Sequence, residues 1–583
     1  MTLWYNLLVL AGTIACFRFL WVSFNANIPS AGPLASYSRF LWLFPREFRG
    51  SITQDLPDLH ENLGPLIRIS PNEISYYSLS TYEIVHGAGS KFRKDPKAYG
   101  AFVQGHHPAL FSIIDSNEHS KRRRLMGQLY SRSKISNLEG LMTQHVSRWI
   151  KCLGTKHSKI DLGPACRALE ADIVSEFSFG MAIGAINAWN DGKELAMKAV
   201  NDEMATWMPL LVHMPVLFDI LSSLRSILKW TTGYQVPHNR HILDFRNWAE
   251  KAWSRALLEE NPFHPNLIHT LTKSGLPPKT ALSEAKENLG PGTDTTSATL
   301  AHIIWALAHN IEFQEQLHQD LKTIEFSTSM SSLEAVPKLR ACVKEGIRWT
   351  GAAAVMLPRV VPQGGVELHG KFIPEGVILS SSPIWYLRDS IAFPNPTEYN
   401  PYRWLTPDGC ENSKNQLRDD FYIPFSRGSN TCIGAQSAEA SAKVHRSYRN
   451  NKWLDTCVAS IKKRMGGCCP DRSFGHYADY EVKQTSMERT GCNWLPGGLN
   501  DINYFTTIDN HCLVICRVLN PSSFPLSFFS RSSQSIVLVI SRRAWWLGDL
   551  STPTCELLHG QLGVVFTMCT LRLPQGLQMF FDR

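Results

Sequence analysis

One cysteine in this chain stands where a sulfur can be made to do chemistry. Cys432 lies in Phe425-Ser426-Arg427-Gly428-Ser429-Asn430-Thr431-Cys432-Ile433-Gly434, among glycines and just ahead of a stretch able to open a helix. Glycines let a backbone approach a flat ligand closely and point amide N–H groups at the sulfur. Such donors, with a helix N-terminus, lower a thiol's pKa and hold it as the thiolate. Read alone, the same residue suits a buried structural role, since free cysteines are among the most buried side chains.

Three other groups invite a chemical reading. Gly292-Thr293-Asp294-Thr295-Thr296 sets hydroxyls and a carboxylate in an otherwise apolar helical stretch, which is costly unless they are used or satisfied. A Thr hydroxyl there can bond the carbonyl one turn back, open the helix and admit water. Pro291, just before it, removes a helix N–H and predicts a kink. By itself Asp-Thr-Thr also serves as a helix cap. Glu345-Gly346-Ile347-Arg348 puts opposite charges three residues apart, on a surface a pair of roughly 0–1 kcal/mol. Downstream come Phe393-Pro394-Asn395-Pro396 and Tyr399-Asn400-Pro401-Tyr402-Arg403-Trp404. Last, His119-Ser120-Lys121-Arg122-Arg123-Arg124 is a basic run, for which a solvated helix face is the plain reading.

The elements that must position these groups are mainly helical between Leu34 and Leu405, with short strands. Ile67–Ser70 and Glu73–Tyr77 are strand-like runs split by a turn at Pro71-Asn72. Leu138–Leu153 and Leu169–Phe177 carry helical apolar spacing, Ala281–Asn310 reads as one long helix and Ile311–Ile324 as a short amphipathic one. After Trp349 helix signals fade, and Val366–Leu368 and Val377–Leu379 look like strands between Gly and Pro turns.

Taken in chain order, these groups resemble the cytochrome P450 family over about residues 26–440, and so imply its mainly α fold with small β-sheets. Phe425, Gly428, Cys432 and Gly434 match the family's F-x-x-G-x-R-x-C-x-G loop, with Asn430 where a basic residue is usual. The resemblance implies that Cys432 ligates the iron of haem b (iron protoporphyrin IX), with Phe425 and Gly428 shaping the loop around it. A thiolate ligand pushes electron density onto haem iron and favours O–O cleavage. His119 and Arg123 match the family's propionate-contacting helix, and Arg359, in Leu357-Pro358-Arg359, another propionate-binding arginine. Thr295 would handle dioxygen and Asp294 relay protons to it. Glu345, Arg348 and Arg403 would form a buried brace behind the haem, and Lys121, Arg122 and Arg124 could line a face for an acidic flavoprotein. Lys91-Phe92-Arg93-Lys94-Asp95-Pro96 and Ala109-Leu110-Phe111-Ser112 resemble filamentous-fungal members in particular.

The function so implied is a monooxygenase that hydroxylates or otherwise oxidises a small apolar organic substrate. A fungal secondary-metabolite intermediate (polyketide, terpenoid or alkaloid) fits the resemblance, with electrons from NADPH through NADPH–cytochrome P450 reductase. The alternative is a non-catalytic, degenerate, membrane-anchored relative that binds haem poorly because its C-terminal core is disrupted.

Composition is compatible with this. The chain has 583 residues, 44% of them hydrophobic and 19% charged, ample for a large core. A net charge of +8 without zinc-finger spacing gives no case for nucleic acid. Of 14 cysteines, Cys16, Cys152, Cys166, Cys342, Cys410 and Cys432 are widely and irregularly spaced, which suits a reducing compartment. The apolar run Leu3–Phe24, interrupted by Arg18 and followed by Ile28-Pro29-Ser30-Ala31-Gly32-Pro33, reads as a transmembrane anchor over residues 1–25. A signal peptide and a buried helix are its rivals. Arg18 on the side facing the rest of the chain suits a single-pass endoplasmic reticulum protein with its catalytic part in the cytosol. Beyond residue 440 no long apolar stripe follows the cysteine loop. The tail 441–583 reads as a mis-joined coding segment, an extra domain or, weakly, a zinc site. Within it Ser535–Ile540 is a candidate strand.

Overall fold

The computed structural model describes residues 27–437 with short breaks at 104–106, 132–137, 157–159, 194, 234–236, 261 and 263, positions 12, 13 and 439, and five strands beyond residue 500. The anchor and the junction after residue 440 lie outside the described residues. No helix among those described is long and apolar enough to cross a membrane. The chain divides into two compact units, Met1–Asp479 and Tyr480–Arg583.

In the first unit the helices that matter to the site are α1 (Leu43–Arg49), α2 (Ile52–Leu63), α3 (Leu79–His86), α4 (Ser116–Tyr130), α5 (Glu139–Gly154), α6 (Leu162–Phe179), α7 (Ala196–His213), α8 (Pro215–Thr232), α9 (Pro237–Leu258), α10 (Pro278–His309) and α11 (Pro337–Thr350). The 32-residue α10 is the axis of the unit. Pro278 opens it, where a missing N–H is harmless. It continues as α-helix through Pro291, so the carbonyl left without its helix donor belongs to Glu287. Leu169 and Ile173 of α6 and Leu289, Leu300, Ile303 and Leu307 of α10 are buried in one core. Burying each such side chain contributes about 1.5–3 kcal/mol. The two helices approach closely at Gly292, where an added Cβ would stand 3.1 Å from Val174 Cγ1.

A second core lies on a five-stranded sheet ordered β1-β2-β7-β4-β3. Its strands are β1 (Leu66–Ser70), β2 (Glu73–Tyr76), β3 (Arg93–Lys94), β4 (Arg359–Val360) and β7 (Ile378–Ser380), while β5 (Val366–Leu368) and β6 (Lys371–Ile373) form a separate hairpin. The β1/β2 hairpin turns at Pro71-Asn72, β2 runs parallel to β7, and β4 is antiparallel to both β7 and β3. The register sets Lys94 directly opposite Arg359. The second unit holds a three-stranded antiparallel sheet of β8 (Ile502–Ile508), β9 (His511–Arg517) and β10 (Ser535–Ser541), with β9 in the middle. The expected strand at Ser535 is present there.

The Glu345–Arg348 pair lies in the first unit's interior, with both side chains fully buried. Arg348 Nε and Nη2 donate to the two Glu345 oxygens at 2.9 and 2.8 Å. Its guanidinium also donates to the carbonyls of Leu387, Pro396 and Glu398 at 2.8–3.0 Å. Glu345 accepts three more bonds, from Arg403 Nε, Trp404 Nε1 and the Asn400 amide, at 2.9–3.0 Å. A buried carboxylate so satisfied is stable, and removing a partner exposes the full desolvation cost. Glu345→Gln is therefore expected to lower unfolding free energy by about 3–5 kcal/mol, read by urea denaturation, whereas exposed Glu315→Gln should leave it unchanged.

Candidate haem site

The brace aims the cysteine loop. Arg418 stacks its guanidinium 4.6 Å from the Trp404 ring and donates to the Arg403 carbonyl at 2.7 Å. Tyr422 packs edge-on against Trp404 at 4.9 Å and donates to the Lys344 carbonyl at 3.3 Å. Phe425 then packs against the main core, and its carbonyl accepts the Cys432 amide at 2.9 Å. Gly428 adopts φ +66°, and a Cβ there would collide with the carbonyls of His86 and Gly87 at the end of α3. Ser426 also has positive φ, a strained setting for a side chain. Its hydroxyl is held by Tyr82 at 2.8 Å, and Arg427 forms an ion pair with Glu83.

Cys432 is exposed by surface area, yet burial among protein atoms pushes its thiol up. The two observations agree if Sγ lines a recess rather than the outer surface. The Gly434 and Ala435 amides and the Arg123 charge act in the other direction, favouring thiolate. Arg123 also donates to the Thr431 carbonyl at 2.6 Å.

Near this sulfur the fold collects basic side chains, of which Arg123 acts on it directly. His119 is buried on α4, held down to about 4 by burial and by Lys94, Arg123 and Arg359. Lys94 is lowered to about 7, by burial first and Arg359 second. It donates to the carbonyls of Leu110 and Phe111 at 3.1 and 2.8 Å. Arg359 donates to Tyr99 Oη at 2.6 Å. Among the described residues no ion pair engages Lys94, Arg123 or Arg359 directly. Like charges opposite each other in a sheet repel, and buried charges without counter-ions are costly. The arrangement calls for an anionic group beside the sulfur, and a haem with two propionates meets that need. The residues present therefore fit haem. Lys94 and Tyr99 are additions to the residues expected to hold it. Lys94 is in the Lys91–Pro96 stretch, but only the β3/β4 register shows its part. Asn430 is half-buried and donates to Ser429 Oγ at 3.4 Å.

The basic run on α4 divides. Lys121 and Arg124 are exposed, while His119 and Arg122 are buried. The expectation that Arg122 lines a docking face is corrected: it forms a buried ion pair with Glu284 of α10 and reaches Glu118 at 3.5 Å. Burial raises the pKa of the Glu284 carboxyl even so. One turn on, Glu287 is raised to about 7 by burial while accepting from Ser112 Oγ at 2.7 Å.

Further along α10, Thr295 Oγ1 donates to the Pro291 carbonyl at 2.7 Å, the one-turn-back bond expected of it. Asp294 is in an ion pair. Its Oδ1 accepts from Arg167 Nε of α6 at 2.7 Å, and Arg167 Nη2 reaches Asp202 of α7 at 2.9 Å. Burial opposes the Arg167 charge, but the two carboxylates outweigh it and raise its pKa. Nothing local in the sequence pointed to Arg167, whose partners stand 35 and 127 residues away.

This geometry can be set beside known proteins. The family described as Cytochrome P450 matches residues 32–445. The chain is 28% identical over 409 residues to the cytochrome P450 monooxygenase macH of Penicillium terrestre, covering 67% of this chain and 78% of that one. It is 27% identical over 445 residues to the monooxygenase sdnE of Sordaria araneosa, with coverages of 72% and 84%. It is 26% identical over 464 residues to the pisatin demethylase of Fusarium vanettenii, with coverages of 75% and 88%. With a thiol in a recess, a cationic cluster beside it and a family match over most of its length, the chain belongs to the cytochrome P450 family of monooxygenases.

Proposed function

We propose that the chain binds haem b through Cys432 and oxidises a small apolar organic substrate, a fungal secondary-metabolite intermediate of polyketide, terpenoid or alkaloid type. The observation that carries this reading is the Cys432 thiol near Lys94, Arg123 and Arg359, which have no direct ion-pair partner among the described residues. Two relatives are named for what they make or act on, a conidiogenone synthase and a pisatin demethylase, which supports a small organic substrate. When bound, haem supplies the oxygen-activating chemistry, and the thiolate donates electron density to its iron. Electrons come from NADPH through NADPH–cytochrome P450 reductase, for which exposed Lys121 and Arg124 offer a basic contact.

The chain's own residues have distinct tasks. Lys94, Arg123 and Arg359 neutralise the propionate edge, and His119, uncharged, helps orient it. Thr295 supplies a hydroxyl, bonded back to the Pro291 carbonyl one turn earlier. Asp294 can pass a proton inward only when its bond to Arg167 yields.

The reading includes the endoplasmic reticulum membrane, with the catalytic unit cytosolic. Support comes from an exposed apolar surface. On α8, Val216, Ile220, Leu224 and Ile227 recur at helical spacing and Trp230 is 86% exposed. Phe40, Leu41 and Phe48 are exposed near α1. Phe44 of α1 meets His213 at the end of α7, 5.5 Å between rings, which brings the two surfaces together. Apolar patches of this kind mark membrane or partner contacts.

Two outcomes are expected. With reductase, NADPH and an accepted substrate, Thr295→Ala should keep NADPH consumption within a few-fold while product per NADPH falls about 10-fold or more, the loss of a proton-handling group. Unchanged coupling would count against the assignment of Thr295. The full-length chain should sediment with phosphatidylcholine vesicles, and Leu224→Glu with Ile227→Glu should weaken that binding about 10-fold. Equal binding by the double variant would remove α8 from the account.

A further inference from the structure

Arg167 divides between two carboxylates the pair of donors that an arginine can give to one. The Nε–H and one Nη–H of a guanidinium point the same way and form a fork that fits both oxygens of a single carboxylate. Elsewhere in this protein the fork is closed: Arg348 gives Nε and Nη2 to the two oxygens of Glu345. On Arg167 the same fork is split. Nε donates to Asp294 Oδ1 at 2.7 Å and Nη2 to Asp202 Oδ1 at 2.9 Å. Two carboxylates thus stand side by side on one edge of one cation, and neither holds the whole fork. The Arg167 side chain is 13% exposed, whereas those of Asp202 and Asp294 are 23% and 39% exposed, so both carboxylates face accessible space.

The three elements differ in what holds them. Arg167 and Asp294 belong to α6 and α10, which approach closely at Gly292, two residues before Asp294. Asp202 belongs to α7, which carries Pro209 inside it and so lacks the helix donor to the Ala205 carbonyl. α7 ends at His213, and α8, with its exposed apolar face, begins at Pro215. Asp202 therefore ties the Arg167–Asp294 pair to a helix that leads to the exposed α8 surface.

Resting on the reading of Asp294 as a proton carrier given above, we propose that Asp202 is a positioning residue for the oxidation: it competes with Asp294 for the Arg167 fork, and its share of that fork leaves Asp294 able to move a proton. With the fork split, Asp294 has one arginine bond to break. With the fork closed on it, Asp294 has two. The rival is a static brace, in which Arg167 makes two independent bonds and Asp202 has no part in proton movement.

The test uses the full-length chain and begins with melting temperatures. Under competition, Asp202→Asn or Asp294→Asn alone lets the fork close on the carboxylate that remains, and only the double variant leaves a buried arginine facing neither. The double variant is expected to lower the melting temperature by roughly twice the sum of the two single shifts or more. Additive shifts overturn the proposal. Proton movement is then read as NADPH oxidation with reductase in light and heavy water, with naphthalene as the apolar probe and samples matched by their thiolate-type carbon-monoxide band. Asp202→Asn is expected to slow oxidation about 10-fold and to enlarge the solvent isotope effect, since Asp294 then has both arginine donors to shed. Asp202→Glu keeps a carboxylate and should stay within roughly 3-fold of wild type. In an Arg167→Gln background, Asp202→Asn should change nothing further. Wild-type rate and isotope effect in Asp202→Asn overturn the proposal. So does an equal slowing in the Arg167→Gln background, which would mark a role apart from the fork. A wild type without the thiolate-type band overturns the haem reading and the role in oxidation with it, while the melting temperatures still report whether the fork is shared.

Discussion

The carboxylate of Glu345 is the constraint on which the rest depends. It is fully buried, and a charge there is tolerable only while all five of its donors are in place. Two donors come from the same helix and three from Asn400, Arg403 and Trp404, on a segment with little regular structure of its own. That segment is ordered because the charge requires it. Arg418 and Tyr422 pack on Trp404, and the cysteine loop continues from them. This buried ion pair orders the backbone leading to the sulfur.

The site built on this frame is under electrostatic tension. The sheet register sets Lys94 against Arg359, and α4 adds His119 and Arg123. Burial lowers the proton affinity of Lys94 and His119 most, and the Arg359 and Arg123 charges lower it further. A folded protein that retains such a cluster is shaped for an anion, and the family match points to haem, with its two propionates, as that group. The opposite pattern holds on α10, where Arg167 sits between Asp294 and Asp202 and is stabilised as a cation. One end of the site awaits negative charge, and the other holds its carboxylate in a closed pair.

How much of this the sequence discloses depends on the range of the interaction. The Cys432 loop, the Glu345–Arg348 pair and the Thr295 hydroxyl act within a turn or two of themselves, and their residues are readable as motifs. The long helix and the β1/β2 hairpin follow from apolar spacing and a Pro-Asn turn. Arg122 was misassigned because its partner, Glu284, lies 162 residues away. Arg167 carries no local signal at all, and Lys94 acquires meaning only when β3 pairs with β4. The exposed apolar surface of α8 emerges only from the fold.

The central claim is that Cys432 ligates haem iron as a thiolate. The reduced carbon-monoxide difference spectrum of the purified full-length chain addresses it most directly, with Cys432→Ser alongside. The account predicts a red-shifted, thiolate-type Soret band for the wild type and its absence in the serine variant. A wild type without that band, or a serine variant that retains it, would contradict the account.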